Sequence, residues 1–523
     1  MKETKGDTHL KAHDTVGVSL LGWRLHFCIQ LNLYQSSFIS VFMKIGLIQP
    51  NLDEKYSDQR HAYSSEKRPP ETGLAVLGSW LKRYSASGHE VVTFNPDRPF
   101  KSIVNDLAGF DFLGISDWFS NHENGMLLAE EIKSLNPSIK IIVGGPNASM
   151  IPREILANHA SVDYVVSRDG EDALTGLVEG KPLPDIPNLW HRDGSGNIVY
   201  TYRAFASLKN VPVWDFSDFQ DVNERLAQYL EVQNSGSDPW LTPPLTLFSF
   251  RGCMKAIKEG VCSYCASAEE QGRALPAEKL WEQVLRLNDV YGAEIFYMAD
   301  DIFSVTPRRI GQIARSKPTG ARSRIRAYGY LPDMAQLDRH TLETMARNLQ
   351  HIGVFNLFFG SEHYDQNVLA AMNKIGTSVE ESARVIKTLY EIGGVRTTIA
   401  YLLGLPRESE DSLAVNLESL ERLLKVDDCI ERLYISIGMP LKGTPWYRTL
   451  ESDARVATEY KQNTKKDLTT DDYPDYPLLS RLSLKYTTSV SPSEIQRYLK
   501  LMVDAARKKM PDYRVGGFML DLD

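Results

Sequence analysis

The segment Arg251-Gly-Cys-Met-Lys-Ala-Ile-Lys-Glu-Gly-Val-Cys-Ser-Tyr-Cys265 contains three of the five cysteines of this chain, Cys253, Cys262 and Cys265. It follows an apolar run, 245–250, that predicts a β-strand, and a helix is predicted after it. Three thiolates at a strand end can bind three irons of a cubane iron–sulfur cluster and leave the fourth iron open. An open iron suits radical generation, because a cluster for electron transfer normally has four cysteine ligands.

Zinc is the alternative occupant of the cysteine segment. A structural zinc site usually has four ligands, often in paired Cys-x-x-Cys units. This segment has one such unit, Cys262 to Cys265, and no histidine nearby. The ligand count therefore favours an iron–sulfur cluster over zinc.

The composition sets broad limits on the class of protein. A chain of 523 residues can form two to four domains, and 42% hydrophobic with 24% charged residues is ordinary for a globular protein. The net charge of −8 argues against a nucleic-acid partner. Five unevenly spread cysteines do not form a disulfide framework, so we expect a reducing, cytoplasmic setting.

The first 42 residues contain an apolar stretch, 16–42, that could be mistaken for a membrane anchor. Polar residues such as Arg24 and Asn32 interrupt it, and they are costly in a bilayer core. A strand pattern starts at Met43. We interpret residues 1–42 as an upstream extension from a misassigned start, with an amphipathic appendage as the alternative, and we expect no membrane partner.

Residues 43–180 alternate between strand and helix patterns, with strands predicted near 43–50, 88–94, 112–116, 140–146 and 163–167. This alternation predicts a doubly wound parallel sheet covered on both faces. Ligands of such sheets bind at the carboxyl ends of the strands. The loops at those ends contain Ser116, Gly144, Gly145, Gly170 and Glu171.

The rest of the chain divides into three parts. Residues 181–243 are interpreted as a linker region with a small hairpin near Arg192. Residues 244–440 contain six strand–helix units, which predict a partial (β/α)6 barrel, and residues 441–523 form a small mixed, α-rich C-terminal segment. The predicted fold class is therefore α/β.

Five motifs occur in an order and at spacings that together resemble the cobalamin-dependent class of radical S-adenosylmethionine (SAM) enzymes over about residues 43–445. They are the cysteine triplet with Tyr264, Met298-Ala-Asp-Asp-Ile-Phe303, Phe359-Gly-Ser-Glu-His363 with Val368-Leu-Ala-Ala-Met-Asn-Lys374, Leu403-Gly-Leu-Pro-Arg-Glu408, and Met439-Pro-Leu-Lys-Gly-Thr-Pro-Trp-Tyr447. The chain departs from the family in three ways. The cysteine gaps are eight and two residues rather than three and two, and no Asp-x-His-x-x-Gly follows the first strand. The third barrel strand, which in the family often carries an arginine near its end, reads Arg326-Ala-Tyr-Gly-Tyr330, so no SAM contact is assigned there.

The resemblance implies that the cysteines hold a [4Fe–4S] cluster whose open iron binds SAM, and that reductive cleavage of SAM yields a 5′-deoxyadenosyl radical. Four groups of residues become candidates for cofactor contacts, each with a structural alternative. Tyr264 packs near the adenine or is a core aromatic, and Asp300 and Asp301 contact SAM or cap a helix. Glu362, a buried carboxylate, needs a ribose hydroxyl or an ammonium as partner. Gly404 allows a close backbone approach or forms only a tight turn.

The resemblance also implies cobalamin at the carboxyl ends of the first sheet. Ser116 and the Gly144-Gly145 pair would receive its nucleotide tail, and Gly170 with Glu171 would line the same cleft. The alternative is a doubly wound domain that has lost its ligand. Without the Asp-x-His-x-x-Gly motif, we expect no protein histidine on the lower face of the cobalt.

The function that the resemblance favours is a radical SAM C-methyltransferase. One SAM would methylate cobalamin, a second would generate the radical, and the substrate would be a small molecule or peptide of specialised metabolism. An external one-electron reductant such as flavodoxin or ferredoxin is expected as partner. The alternatives are an oxidative cyclase or rearrangement enzyme with the same cofactors, and a non-catalytic iron–sulfur protein, which would not cleave SAM.

Overall fold

The computed structural model describes residues 42–53, 71–94, 103–220, 222–235, 245–266, 271–304, 306–510 and 515–516. The predicted extension, 1–42, lies outside these residues apart from Phe42. Within the described ranges, no helix has both the length and the apolar character needed to cross a membrane.

The first sheet has seven strands in the order β2-β1-β3-β4-β5-β6-β7, and β1 to β5 are parallel. Its strands are β1 Lys44–Ile48, β2 Glu90–Phe94, β3 Phe112–Ser116, β4 Lys140–Gly144, β5 Tyr164–Val166, β6 Leu189–Arg192 and β7 Ile198–Tyr200. The central strands are apolar and buried because helices cover both faces of the sheet. The chain reverses its winding between β1 and β3, and ligands of doubly wound sheets bind beside such a point.

The helices of this sheet domain follow the predicted alternation. They are α1 Thr72–Tyr84, α2 Val104–Leu107, α3 His122–Leu135, α4 Pro146–Met150, α5 Pro152–Asn158 and α6 Glu171–Val178. Asp53, in the loop after β1, accepts hydrogen bonds from the backbone N–H groups of Glu123 and Asn124, and so caps the start of α3. The predicted doubly wound domain is therefore confirmed.

Part of the stretch 181–243, interpreted from the sequence as a linker region with a small hairpin, adds two strands to the first sheet. The hairpin predicted near Arg192 is present as β6 and β7, and β6 pairs antiparallel with β5. Antiparallel pairs need only a short turn, which explains how a Gly- and Asp-rich segment adds two strands without a crossover helix. A helix, α7 Val222–Asn234, follows.

The second sheet is the parallel barrel wall, in the order β16-β15-β14-β13-β12-β11-β8. Its strands are β8 Leu245–Leu247, β11 Ile295–Met298, β12 Arg324–Gly329, β13 Val354–Glu362, β14 Arg396–Leu403, β15 Ile430–Ile437 and β16 Val515–Gly516. The six predicted barrel strands are all present, and β16 adds a seventh beside β15. A short antiparallel pair, β9 Phe250–Arg251 and β10 Arg273–Ala274, brackets the cysteine segment.

Amphipathic helices cover the outside of the barrel wall. They are α9 Ala277–Tyr291, α10 Pro307–Arg315, α11 Leu331–Ala335, α12 Arg339–Ile352, α13 Gln366–Ala371, α14 Val379–Gly393 and α15 Glu410–Leu423, whereas the short helix α8 Met254–Glu259 lies within the cysteine segment. Their ends follow from local sequence signals. Ser378 and Glu381 form a capping box at the start of α14, and Gly394 ends it in a left-handed conformation.

The C-terminal segment is α-rich, as predicted, with α16 Pro445–Ser452, α17 Ala454–Thr464, α18 Tyr476–Thr487 and α19 Pro492–Arg507. It also contacts the first sheet domain. A Cβ on Gly443 would lie 2.8 Å from Met150 Cβ, so a glycine is needed where the two parts meet. The buried ammonium of Lys442 donates to the carbonyl oxygens of Leu468 and Thr469, and this holds the loop between α17 and α18.

Candidate active site

The three cysteines lie in the loop between β9 and β10, at the carboxyl end of the first barrel strand, as predicted. All three are partly buried, and none of them is in a disulfide. Burial raises the pKa of Cys253, so its thiolate is costly until a cation binds it. A multi-iron cluster would supply that positive charge.

The long gap between the first two cysteines is filled by helix α8, which Cys253 precedes as the N-cap residue. This helix is fastened to the barrel. Lys255 Nζ donates to the carbonyl oxygens of Gly260 and Asn373, and Asn373 Nδ2 donates to the carbonyl of Val261, at 2.9 Å. The eight-residue gap therefore forms an ordered turn of helix.

The spacing of the sulfur atoms bears on the choice between zinc and a cluster. A single tetrahedral zinc with bonds of about 2.3 Å would bring its thiolates within about 3.8 Å of one another. The three cysteines do not form a group whose ligand atoms all lie within 4.8 Å. The wider arrangement fits a multi-iron cluster, where each cysteine binds a different iron.

Tyr264, Glu362 and Lys374 form one buried hydrogen-bonded group beside the third cysteine. Lys374 Nζ lies 2.9 Å from Tyr264 Oη and 3.2 Å from Glu362 Oε1, and Tyr264 Oη donates to Glu362 Oε1 at 3.2 Å. Burial, followed by the charge of Glu362, raises the pKa of Tyr264 well above its usual value. The ammonium partner expected for Glu362 is thus supplied by the protein, and a SAM contact by Glu362 stays a prediction.

The backbone at Glu362 has an unusual conformation that positions its carboxylate. Its φ is +63°, an uncommon conformation for a residue with a side chain. A Cβ on Gly360 would lie 2.3 Å from Glu362 Oε1, so the glycine makes room for the carboxylate. Such strain is frequent at ligand-binding positions.

Asp300 and Asp301, which were predicted together, differ in their surroundings. Asp300 is fully buried, and it accepts hydrogen bonds from the N–H groups of Ser249 and Phe250 and from the Ser249 hydroxyl. Burial raises the pKa of Asp300 to about 7. Asp300 therefore joins β11 to the strand that leads into the cysteine loop, whereas Asp301 is exposed and lines the same cavity as Cys265 and Ala266.

Gly404 starts a tight turn that is held by a buried carboxylate. Its φ is +80°, and Glu408 Oε2 accepts a hydrogen bond from Gly404 N at 2.8 Å. Burial raises the pKa of Glu408 to about 8. The positive φ and this hydrogen bond account for Gly404 as part of a tight turn. A cofactor contact by Gly404 stays a prediction.

A cavity of about 610 Å³ lies between the first sheet domain and the cysteine loop. All five residues predicted for the cobalamin cleft line it: Ser116, Gly144, Gly145, Gly170 and Glu171. Cys265 and Asp301 line its other side. None of the described residues that line the cavity is a histidine, and the loop 54–70 lies outside the described residues.

The two glycines at the carboxyl end of β4, Gly144 and Gly145, serve different purposes. A Cβ on Gly145, whose φ is +111°, would lie 2.7 Å from Asp117 O and 2.9 Å from Asp117 N, so this glycine is required by the neighbouring backbone. A Cβ on Gly144 would meet nothing closer than Val166 O, at 3.7 Å. Gly144 therefore leaves open space on the cavity side, where a flat ligand could lie against the sheet.

Arg251 ties the cysteine loop to the first sheet domain. Its guanidinium lies 2.7 Å from Asp169 Oδ1 and 2.6 Å from Glu171 Oε1, and Arg273 also binds Asp169. Burial disfavours the charge of Arg251, but the two carboxylates outweigh it and raise its pKa. Glu171, predicted to line the cobalamin cleft, is thus also half of an ion pair between the domains.

Sequence reasoning missed Arg251, Asp169, Arg273 and Lys374 as site residues. Lys374 ends one of the five motifs, Arg251 opens the cysteine segment, and Asp169 lies in the strand-end loop beside Gly170, so all three had a positional signal. Arg273 carried none, because its pairing with Asp169 joins residues that are 104 apart in the chain.

Comparisons with known proteins agree with this architecture. Residues 64–178 match the B12 binding domain family, and residues 247–420 match the radical SAM superfamily. An uncharacterized methyltransferase of Pyrococcus horikoshii, PH0819, is 22% identical over 421 residues, which cover 76% of this chain and 82% of the relative.

Two solved structures share the fold. The cobalamin-dependent SAM radical enzyme OxsB, with aqua-cobalamin and SAM bound, aligns with a TM-score of 0.64 and 16% identity over 89% of this chain and 67% of that one. The radical SAM methyltransferase TsrM from Kitasatospora setae, with cobalamin and a [4Fe–4S] cluster bound, aligns with a TM-score of 0.60 and 15% identity over 90% of this chain and all of that one.

The residues in place fit the cofactors of these two families. The cysteine loop offers three thiolates that would hold a [4Fe–4S] cluster, and a cluster with three cysteine ligands would have its fourth iron open to SAM. The open face at Gly144 and the cavity beyond it fit cobalamin at the strand ends. The order of the two domains, their fold and the family matches lead to one conclusion: the chain belongs to the cobalamin-dependent radical SAM enzymes.

Proposed function

We propose that this enzyme is a C-methyltransferase that acts on a small-molecule or peptide intermediate of specialised metabolism. One observation carries the proposal. A single cavity extends from Ser116 and Gly144, at the strand ends of the first sheet, to Cys265 in the cysteine loop. Bound cobalamin would supply the methyl group, and SAM at the cluster would supply the radical. Methyl transfer requires the cobalamin and the SAM to face the same space, and this cavity would provide that space.

The side chains around the cavity have three tasks in this proposal. Leu47, Leu74 and Leu77 line the cavity with apolar surface and keep water away from reactive species. Arg251 fixes the distance between the two domains through its carboxylate partners. The Tyr264–Glu362–Lys374 group fixes the residue next to Cys265, so that the cluster loop keeps its orientation.

The reaction requires electrons from outside the protein. Reductive cleavage of SAM consumes one electron, and an external one-electron reductant such as flavodoxin or ferredoxin is part of the proposal. The proposed substrate class is supported by the net charge of the chain, −8, because an acidic protein is unsuited to a nucleic-acid substrate.

The test uses enzyme reconstituted with iron, sulfide and cobalamin under anaerobic conditions, with dithionite and SAM but no substrate. A methyltransferase should form about one equivalent of S-adenosylhomocysteine per bound cobalamin, because methylation of cobalamin does not need the substrate. Cobalamin-free enzyme is the matched control, and it should form 5′-deoxyadenosine without S-adenosylhomocysteine.

The same assay separates the alternatives. Formation of 5′-deoxyadenosine without any S-adenosylhomocysteine in the cobalamin-loaded enzyme would contradict methyl transfer and favour oxidative cyclisation or rearrangement. No SAM cleavage of either kind would contradict both radical functions. With a substrate in hand, a mass gain of about one methylene unit would identify the product of methylation.

A further inference from the structure

Three metal-ligating side chains lie together outside the cysteine loop. His122 starts α3, His159 follows α5, and Asp472 lies in the loop between α17 and α18. Asp472 Oδ2 lies 2.7 Å from His159 Nε2 and 3.3 Å from His122 Nε2. Within the part of the chain that the structure describes, no other group of three such residues has its ligand atoms within 4.8 Å of one another.

Hydrogen bonds around this group orient its ligand atoms. His122 Nδ1 lies 2.9 Å from Asp117 Oδ1, and Asn147 Nδ2 donates to Asp117 Oδ2 at 2.9 Å. A carboxylate at Nδ1 favours the tautomer with its proton on Nδ1, so the lone pair of Nε2 points toward Asp472. The other oxygen of Asp472, Oδ1, accepts a hydrogen bond from Asn158 Nδ2 at 2.9 Å. Each of these two ligands is therefore positioned by a second residue.

The buried surroundings require positive charge within the group. The side chains of His122, Asp472 and His159 are only 2%, 11% and 17% exposed. An Nε2 lone pair that faces a carboxylate oxygen at 3.3 Å is repulsive unless positive charge lies between them. A proton or a metal ion can supply it, and two imidazoles with one carboxylate are a ligand set that first-row divalent ions favour.

The distances are close to those of a metal site. Tetrahedral zinc bonds to imidazole nitrogen and carboxylate oxygen of about 2.0–2.2 Å place neighbouring ligand atoms about 3.3–3.6 Å apart. The 3.3 Å between Asp472 Oδ2 and His122 Nε2 matches this spacing, and the 2.7 Å to His159 Nε2 is a hydrogen-bond distance that would lengthen when an ion replaces the proton. We propose that His122, His159 and Asp472 bind one divalent transition-metal ion such as zinc, which joins the C-terminal segment to the first sheet domain.

The position of the ligands gives the ion a structural task. Two come from the first sheet domain and the third from the loop after α17. Next to Asp472, Tyr473 Oη donates to Asp53, and the rings of Tyr473 and His122 lie 5.7 Å apart. Because His122 is bound to Asp117, which follows Ser116, an ion here would also brace the loop that opens onto the cavity.

The test measures zinc in the full-length protein with its cluster reconstituted, after incubation with excess Zn²⁺ and removal of unbound metal. The parent should keep about one zinc ion per chain more than His159→Ala and Asp472→Asn do. His340→Ala removes an exposed histidine on α12 and should match the parent. Added Zn²⁺ should raise the thermal unfolding temperature of the parent and of His340→Ala, and leave both ligand variants unchanged.

Equal zinc content in the parent and both ligand variants would overturn the proposal, and so would a parent that keeps no zinc. In either case, a proton bound between the histidines and Asp472 would explain why these three side chains lie together. Asp472→Asn retains an oxygen for Asn158 and has nearly the shape of aspartate, so it tests the ligand role even where His159→Ala disturbs folding.

Discussion

Arg251, two residues before the first cysteine of the cluster loop, forms an ion pair with Glu171 of the first sheet domain, with 2.6 Å between Nη2 and Oε1. Glu171 starts α6 and lines the cavity in which cobalamin is expected. One side chain therefore connects the loop that would hold the iron–sulfur cluster with the domain that would hold cobalamin. The relative placement of the two cofactors depends on this contact.

The first prediction concerns this ion pair. Glu171→Gln should lower the free energy of unfolding by about 1.5–3 kcal/mol, because Arg251, whose side chain is only 22% exposed, loses a charge-assisted hydrogen bond. Anaerobic thermal or denaturant unfolding measures it. Asp172→Asn, at the exposed neighbouring position, should change stability by less than about 0.5 kcal/mol. Equal effects of the two substitutions would show that the pair does not stabilise the domain contact.

The second prediction concerns the cluster. Cys262→Ala should reduce both the iron content and SAM cleavage to background, because two thiolates cannot hold the cubane as three do. Cys429→Ala is the matched control, since Cys429 is buried in the hydrophobic core and should keep full iron content. Iron analysis and 5′-deoxyadenosine formation are the measurements. Retained SAM cleavage in Cys262→Ala would refute the assignment of the site.

The third prediction concerns Glu362 and its partner. Glu362→Gln should weaken SAM cleavage by about 10- to 100-fold and leave iron in place, because a charge-assisted hydrogen bond contributes about 1.5–3 kcal/mol. Lys374→Met breaks the same group from the other side. If Glu362 binds SAM directly, the KM for SAM should rise more in Glu362→Gln than in Lys374→Met. Equal KM values in the two variants would point to a purely structural role for the group.

The fourth prediction concerns the open face of the first sheet. Gly144→Leu should reduce bound cobalt by about tenfold or more with iron unchanged, because overpacking a filled site costs about 1–3 kcal/mol. Gly194→Leu, on the exposed β6–β7 turn where a Cβ meets nothing within 4 Å, is the control. Gly145 is unsuitable for this test, because its side chain would strike the Asp117 backbone and destabilise the fold itself. Cobalt content like that of the control would disprove a ligand at Gly144.

The fifth prediction concerns pH. The pKa of Asp300 is about 7 in the folded protein, above the value of about 3.9 for an unfolded chain. Between these two values the folded state binds more protons, so the contribution of Asp300 to stability falls as the pH rises from about 4 to about 7, and stays constant above that. Each tenfold change in proton affinity corresponds to about 1.4 kcal/mol.

Asp300→Asn should remove this dependence. The asparagine oxygen can accept from Ser249 N and Phe250 N, and its amide can donate to the Ser249 hydroxyl. Unfolding measured between about pH 5 and pH 8 should therefore be flatter in the variant than in the parent. Parallel pH profiles would show that Asp300 does not titrate in this range.

Local sequence was sufficient for much of the architecture. The alternation of apolar runs with amphipathic helices predicted the doubly wound domain and six barrel strands, because strand and helix periodicities are properties of neighbouring residues. The cysteine segment predicted the cluster loop for the same reason, since its ligands lie within 13 residues of one another. The cavity residues Ser116 and Gly144 were also predictable, because parallel strands align their carboxyl ends along one edge.

Tertiary structure decided which charges meet. Glu171 and Arg251 are 80 residues apart, and His122 and Asp472 are 350 apart, so no local pattern relates them. The hairpin 189–200 became part of the first sheet because β5 offered it an open edge. The sequence by itself determined the elements and the cluster ligands, which depend on nearby residues. The ion pair between the domains, the contact of Tyr264 with Glu362 and the His122–His159–Asp472 group arose only when packing brought distant segments together.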